Sequence, residues 1–105
     1  IITDGHHLPG ELVKIIIRAK GTDKVIVTSD ASSITGFPPG EYNTLGNPAI
    51  LYPNGKLFNP EKQCLVGSAS TISDCMKFLY SLDFLTQDEL QKVGRDNALA
   101  ILNMK

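Results

Sequence analysis

Three consecutive apolar residues, Val25-Ile26-Val27, set the tightest limit on what this chain can fold into. Successive side chains of a strand point to opposite faces, so a run that is apolar at every position has to be covered on both. That is the situation of a strand in a parallel sheet with helices packed on it. The residues before the run agree. Ile1 to Thr3 read as the end of a buried strand, and Pro9 suits the first turn of a helix, where its missing N–H is no loss. Leu12, Val13, Ile16 and Ile17 give that helix an apolar face, which Ile15 widens. Arg18 and Lys20 complement its C-terminal end, and Gly21 supplies the stop. Strand, helix, strand in about thirty residues is a βαβ unit.

The rest of the chain changes character. A Gly- and Pro-rich excursion runs from Ser32 to about Pro48. "ILYPNGKLF" then reads as two short strands about Asn54-Gly55, a strong hairpin signal. "NPEKQ" turns again, and Cys64-Leu65-Val66 is read as a third strand. The remainder is helical. Thr71 is expected to cap a helix carrying Ile72, Cys75, Met76 and Leu79. Thr86 and Glu89 have the T-x-x-E spacing of a capping box. Asp96 or Asn97 is expected to start a last helix through Leu99 and Leu102. The fold class is therefore α/β, with a hairpin excursion over about 48–67 in a single partial domain of residues 1–105.

Composition excludes several kinds of partner. The 105 residues carry a net charge of -1, and the ten Lys and Arg are scattered, so neither nucleic acid nor an anionic membrane is an expected partner. No apolar run approaches the eighteen or so residues that span a bilayer. Cys64 and Cys75 form no C-x-x-C pair and read as buried, reduced thiols of a cytoplasmic protein. The chain starts at Ile1 inside a strand-like run, and a fragment of a longer protein is expected.

Candidate chemistry gathers where the two strands end. Both strands of a βαβ unit point the same way, so their C-terminal ends share one edge, the edge at which parallel sheets and barrels bind ligands. The first ends in Asp4-Gly5-His6-His7 and the second in Thr28-Ser29-Asp30. Asp4 before glycine is equally readable as an Asx turn or as a ligand-binding group, and the histidines as solvated rings. Asp30 is the best single candidate, because a carboxylate ending an apolar strand is costly without a partner. "GSAST" lacks the G-x-S-x-G pattern of a nucleophile elbow. Two adjacent histidines and one carboxylate do not complete the three-ligand set of a catalytic zinc.

Four segments, "TDGHHLPGELVKIIIRAKG", "VIVTSDA", "FPPGEY" and "CLVGSASTISDCMKFL", taken in order and spacing, resemble the C-terminal third of the N-acetylglucosamine-6-phosphate deacetylases of the amidohydrolase superfamily. "DNALAILN" is similar to that family's closing N-P-A-x-x-L-type helix. The resemblance implies a C-terminal fragment of a metal-dependent (β/α)8 TIM barrel, comprising its last two strand–helix units with a β-hairpin insertion. It places the catalytic aspartate on Asp30, as general base toward a metal-bound water and then general acid toward the leaving amine. It puts His7 against an amino-sugar substrate, with Asp4, Gly5 and His6 as neighbours in the same element. Leu65, Val66 and Gly67 match a segment whose backbone lies against the sugar.

The same resemblance implies a divalent metal, zinc or similar, in the parent enzyme. The family's Glu and two His ligands have no counterpart here, nor does its phosphate-holding basic group, so the fragment is expected to bind no metal and to be inactive. Asp30 is its one possible metal donor. The expected partner is a small amino-sugar phosphate. The parent is expected to be a homodimer, and the fragment to self-associate through a sheet edge or an exposed helix face, or to rearrange from its parent conformation. Two other readings stand beside this one. One is a different amidohydrolase reaction on the same scaffold, a deaminase or cyclic amidase. The other is a non-enzymatic binding module.

Overall fold

In the computed structural model, which describes residues 1–104, the chain groups into two compact units. One contains residues 1–28 and those from Ile72 onward; the other is Ser29–Thr71.

In the first unit the expected parallel pairing is present but short. Ile2 and Thr28 form one parallel bridge, the Thr28 amide donates to the Ile1 carbonyl (2.9 Å), and the Ile1 nitrogen donates to the Ile26 carbonyl (2.8 Å). Helix α1 (Gly10–Lys20) joins the two segments, with Pro9 as the residue before its first turn rather than within it. Gly21 closes α1 at φ 81, its amide donating to the Ile17 carbonyl, a left-handed stop that glycine adopts without a Cβ penalty. Val13 and Ile17, one turn apart, are buried, whereas Ile15 on the opposite face is 62% exposed. Burying each of those two side chains contributes roughly 1.5–3 kcal/mol.

Helix α2 (Ile72–Ser81) buries Cys75 and Leu79 against the same core, which also takes Val25, Val27, Leu90 and Val93. Helix α3 (Gln87–Gln91) begins with the anticipated capping box: the Thr86 side chain accepts from the Glu89 amide and the Glu89 carboxylate from the Thr86 amide. The last helix expected to start at Asp96 or Asn97 does start at Asn97, but as a continuation of the preceding turn and not after a loop. Both residues have helical dihedrals, and α3 continues through a π-helical turn (Lys92–Asp96) into α4 (Asn97–Ile101). Instead of capping, the Asn97 side chain donates to the Thr22 (2.6 Å) and Val25 (2.8 Å) carbonyls. The Val27 amide in turn donates to the Val93 carbonyl (2.9 Å). Helix backbone and side-chain amide thus serve polar groups of residues 22–27 that a neighbouring strand would otherwise satisfy. Leu102 is exposed and no residue of α4 is buried.

The second unit holds a four-stranded antiparallel meander, β1 (Gly40–Thr44), β2 (Asn47–Leu51), β3 (Leu57–Asn59) and β4 (Cys64–Leu65), in that spatial order. It starts earlier than the excursion expected at about 48–67. The reason is the turn Leu45-Gly46, in which both residues have positive φ (50° and 78°), the requirement of a tight two-residue hairpin. A leucine in that conformation carries no turn signal, and here its side chain is 95% exposed. The hairpin about Asn54-Gly55 forms as expected. The Gly55 amide donates to the Tyr52 carbonyl and the Tyr52 amide to the Lys56 carbonyl. Gly55 sits at φ 87, so Pro53-Asn54 make the corner and the glycine a bulge. Ala49, Leu51 and Leu57 face inward with Ile34 as the small core. Cys64, expected buried, is exposed at the start of the short strand β4, while Cys75 is buried.

Candidate functional site

Each unit holds one group of the residues singled out from the sequence. In the first unit, Thr3 is wholly buried and donates its hydroxyl to the Cys75 carbonyl in α2 (2.9 Å). Two residues on, Gly5 has φ 84, and a Cβ there would meet the Phe78 ring at 3.2 Å, so the chain lies close on α2 and a larger residue would be strained and press on the ring. Between them the Asp4 side chain is 1% exposed. One of its oxygens accepts from the His6 (2.9 Å) and His7 (3.0 Å) amides, and the other lies 2.9 Å from the His7 ring nitrogen Nδ1. Of the two readings of Asp4 from the sequence, the Asx turn is therefore present, and the same side chain also engages the His7 ring.

The electrostatics follow from that geometry. Burial by itself pushes the Asp4 carboxyl up, but the His6 and His7 amides, with the His7 ring, outweigh it and hold Asp4 below its ordinary value. Burial also pushes the Cys75 thiol up, and the charge of Asp4 adds to the effect, which keeps that cysteine a protonated core residue. It is the Nδ1 side of the His7 ring that faces Asp4.

In the second unit, Asp30 is exposed and sits in the left-handed region at φ 50, which aspartate tolerates better than most residues. Its carbonyl accepts from the Ser68 amide (2.9 Å), and the Ser32 amide donates to the Ser68 carbonyl (2.7 Å), framing a parallel bridge between Ala31 and Ser68. Gly67, at φ 57, lies against this turn. A Cβ on Gly67 would stand 3.2 Å from the Asp30 carbonyl oxygen and 3.7 Å from a carboxylate oxygen. The "LVG" segment and Asp30, singled out separately in the sequence, are brought together here, with Leu65 in β4 and Val66 packed on the small core.

Thr3 and Ser68 escaped sequence reasoning. A threonine ending a buried strand was the available signal for the first; nothing local marks the second, whose role lies in its backbone. Among the described residues, no group of three His, Cys, Asp or Glu side chains stands close enough to hold a metal ion. Nor is any helix among them long and apolar enough to cross a membrane.

This mixed helix-and-sheet arrangement is shared with a segment of known deacetylases. The chain superimposes on N-acetylglucosamine-6-phosphate deacetylase of Thermotoga maritima with a TM-score of 0.89 and 24% identity, covering 98% of this chain and 28% of that one. The enzyme of Pasteurella multocida gives 0.86 and 21%, covering 98% and 26%. A Mycobacterium smegmatis variant in complex with N-acetyl-D-glucosamine-6-phosphate gives 0.87 and 18%, covering 99% and 28%.

In sequence, the chain resembles N-acetylglucosamine-6-phosphate deacetylase of Lysinibacillus sphaericus, at 28% identity over 104 residues, which is 99% of this chain. It spans about a quarter (26%) of the length of that curated relative. No protein-family model matches it.

Proposed function

We propose that this chain is the C-terminal part of a metal-dependent amidohydrolase, built on a (β/α)8 barrel, that hydrolyses the N-acetyl group of an amino-sugar phosphate of the N-acetylglucosamine-6-phosphate type. The observation that carries this reading is the exposed Asp30 carboxylate, fixed in a left-handed turn against Gly67. The likeness in sequence and fold to deacetylases along almost the whole chain supports it.

Asp30 acts as the general base that accepts a proton from the attacking water. It then acts as the acid that returns this proton to the nitrogen of the leaving amine, so one carboxylate serves both steps. Its exposure suits such a group, since it must meet both the water and the substrate nitrogen. His7 binds the sugar through Nε2. The backbone of Leu65, Val66 and Gly67 lies along the ligand, where the missing Cβ of Gly67 permits close approach.

A divalent metal such as zinc would polarise the acetamide carbonyl. Catalytic zinc takes about three protein ligands, and the described residues bring no such group together. Asp30 would be at most one donor, and no step above passes through the metal. In this reading the chain alone is inactive. The parent acts in the cytoplasm as a homodimer, and the isolated chain self-associates through its open strand edges.

The test is Asp30→Asn in the full-length protein. Acetate release from N-acetylglucosamine-6-phosphate should fall by a factor of about 10² or more, the range that general acid–base catalysis supplies, with metal content unchanged. Wild-type turnover in that variant removes Asp30 from the mechanism. Ammonia in place of acetate from the wild-type protein turns the reading to a deaminase.

A further inference from the structure

The loop Asp4-Gly5-His6-His7 carries more information than a list of ligand contacts. The Asp4 side chain is buried, and both oxygens already serve the chain: one takes two backbone amides, the other faces the His7 ring. A carboxylate so engaged has little left for a ligand. Both of its neighbours are anchored on α2, Thr3 by a buried hydrogen bond and Gly5 by contact with the Phe78 ring. Asp4 is therefore held rigidly, and whatever it orients inherits that rigidity.

We infer that Asp4 is a positioning residue that fixes His7 in the tautomer protonated on Nδ1, leaving Nε2 as the ligand-facing atom. The reasoning is one of donors and acceptors. An ionised carboxylate only accepts, so the ring nitrogen 2.9 Å away must donate and Nδ1 carries the proton. In the neutral ring Nε2 is then a bare acceptor, and the ring cannot rotate without losing the Asp4 contact. Second partners of this kind fix the tautomer and orientation of functional histidines elsewhere. For its activity readout alone this inference rests on the proposed function.

The experiment is a long-range proton–nitrogen correlation on 15N-histidine-labelled protein, at a pH where the ring is neutral. The full-length protein is used, and the signals that disappear in His7→Gln are those of His7. Expected is a proton on Nδ1 in the wild type. In Asp4→Asn the amide oxygen can keep the two backbone bonds while its NH2 group faces Nδ1, so the ring proton should move to Nε2. A wild-type ring protonated on Nε2 overturns the inference, whether or not the variant folds. An Asp4→Asn ring still protonated on Nδ1 overturns it too, because a mere loop staple would leave the tautomer alone.

In the full-length enzyme, Asp4→Asn should raise KM at least about tenfold with a smaller change in kcat, as expected for lost ligand binding. A flipped tautomer with unchanged kcat/KM removes the positioning role. A flipped tautomer in a protein that never releases acetate sinks the deacetylase reading and leaves the placement of the proton standing.

Discussion

Placing asparagine at Gly67 tests the geometry around Asp30 directly. Asparagine tolerates the left-handed region, so backbone strain stays small and the main cost is the new Cβ. That atom would lie 3.2 Å from the Asp30 carbonyl oxygen, which must yield by a few tenths of an ångström. The oxygen is not free to do so, because the Ser68 amide holds it at 2.9 Å. Overpacking of this kind costs about 1–3 kcal/mol, and stretching the hydrogen bond forfeits part of its ~0.5–1.5 kcal/mol.

Gly36 is the control. It lies in the same unit with φ 88, and a Cβ there meets nothing within 4 Å. Gly67→Asn should therefore cost roughly 1–2 kcal/mol more than Gly36→Asn in urea unfolding. The Ser68 amide should also exchange about tenfold faster, the equivalent of ~1.4 kcal/mol. Under the proposed function, a shift of the Asp30 backbone carries its carboxylate along and should lower kcat of the full-length protein severalfold, since misplacement by about 1 Å can cost ~10². Equal costs for the two asparagines, within about 0.5 kcal/mol, would refute the claim that Gly67 is glycine in order to leave room for Asp30.

Two further perturbations follow from the first unit. Thr86→Ala removes one arm of the capping box and should destabilise the protein by about 1 kcal/mol in thermal or urea unfolding, with Thr86→Ser near neutral. Because the folded-state carboxyl of Asp4 is held below its ordinary value of 3.8, its contribution is present above that value and is lost as pH falls through the lower folded one. Acid unfolding followed by circular dichroism from about pH 5 downward should show a shallower decline for Asp4→Asn than for the wild type; parallel curves would mean that Asp4 contributes nothing to acid sensitivity.

How much was legible depended on the distance between partners along the chain. The capping box at Thr86 and Glu89 was readable because its two hydrogen bonds join residues three apart. The corner at Pro53-Asn54-Gly55 and the stop at Gly21 were readable for the same reason. Strand β1 was not, since its turn depends on Leu45 adopting a backbone state that leucine seldom takes. Asn97 was readable as a helix start, and α4 begins there, yet what its amide does was not: it serves carbonyls at Thr22 and Val25, seventy-five residues away in the case of Thr22. Its partners, not its type, set its role.

At the candidate site the division is similar. Sequence alone singled out the candidate residues: a carboxylate ending an apolar strand, a D-G-H-H loop, and a glycine after "LV". It also determined α1, with its Pro entry and Gly exit, because a helix face and its ends are written within one or two turns of chain. Tertiary structure decided the burial of Asp4 beside His7, the anchoring of Thr3 on the Cys75 carbonyl seventy-two residues away, and the seating of Asp30 on Gly67. It also separated the two cysteines, burying Cys75 and leaving Cys64 in solvent. The physical reason is that hydrogen bonds across one turn depend on neighbours in the chain, whereas burial and close approach depend on segments that only folding brings together.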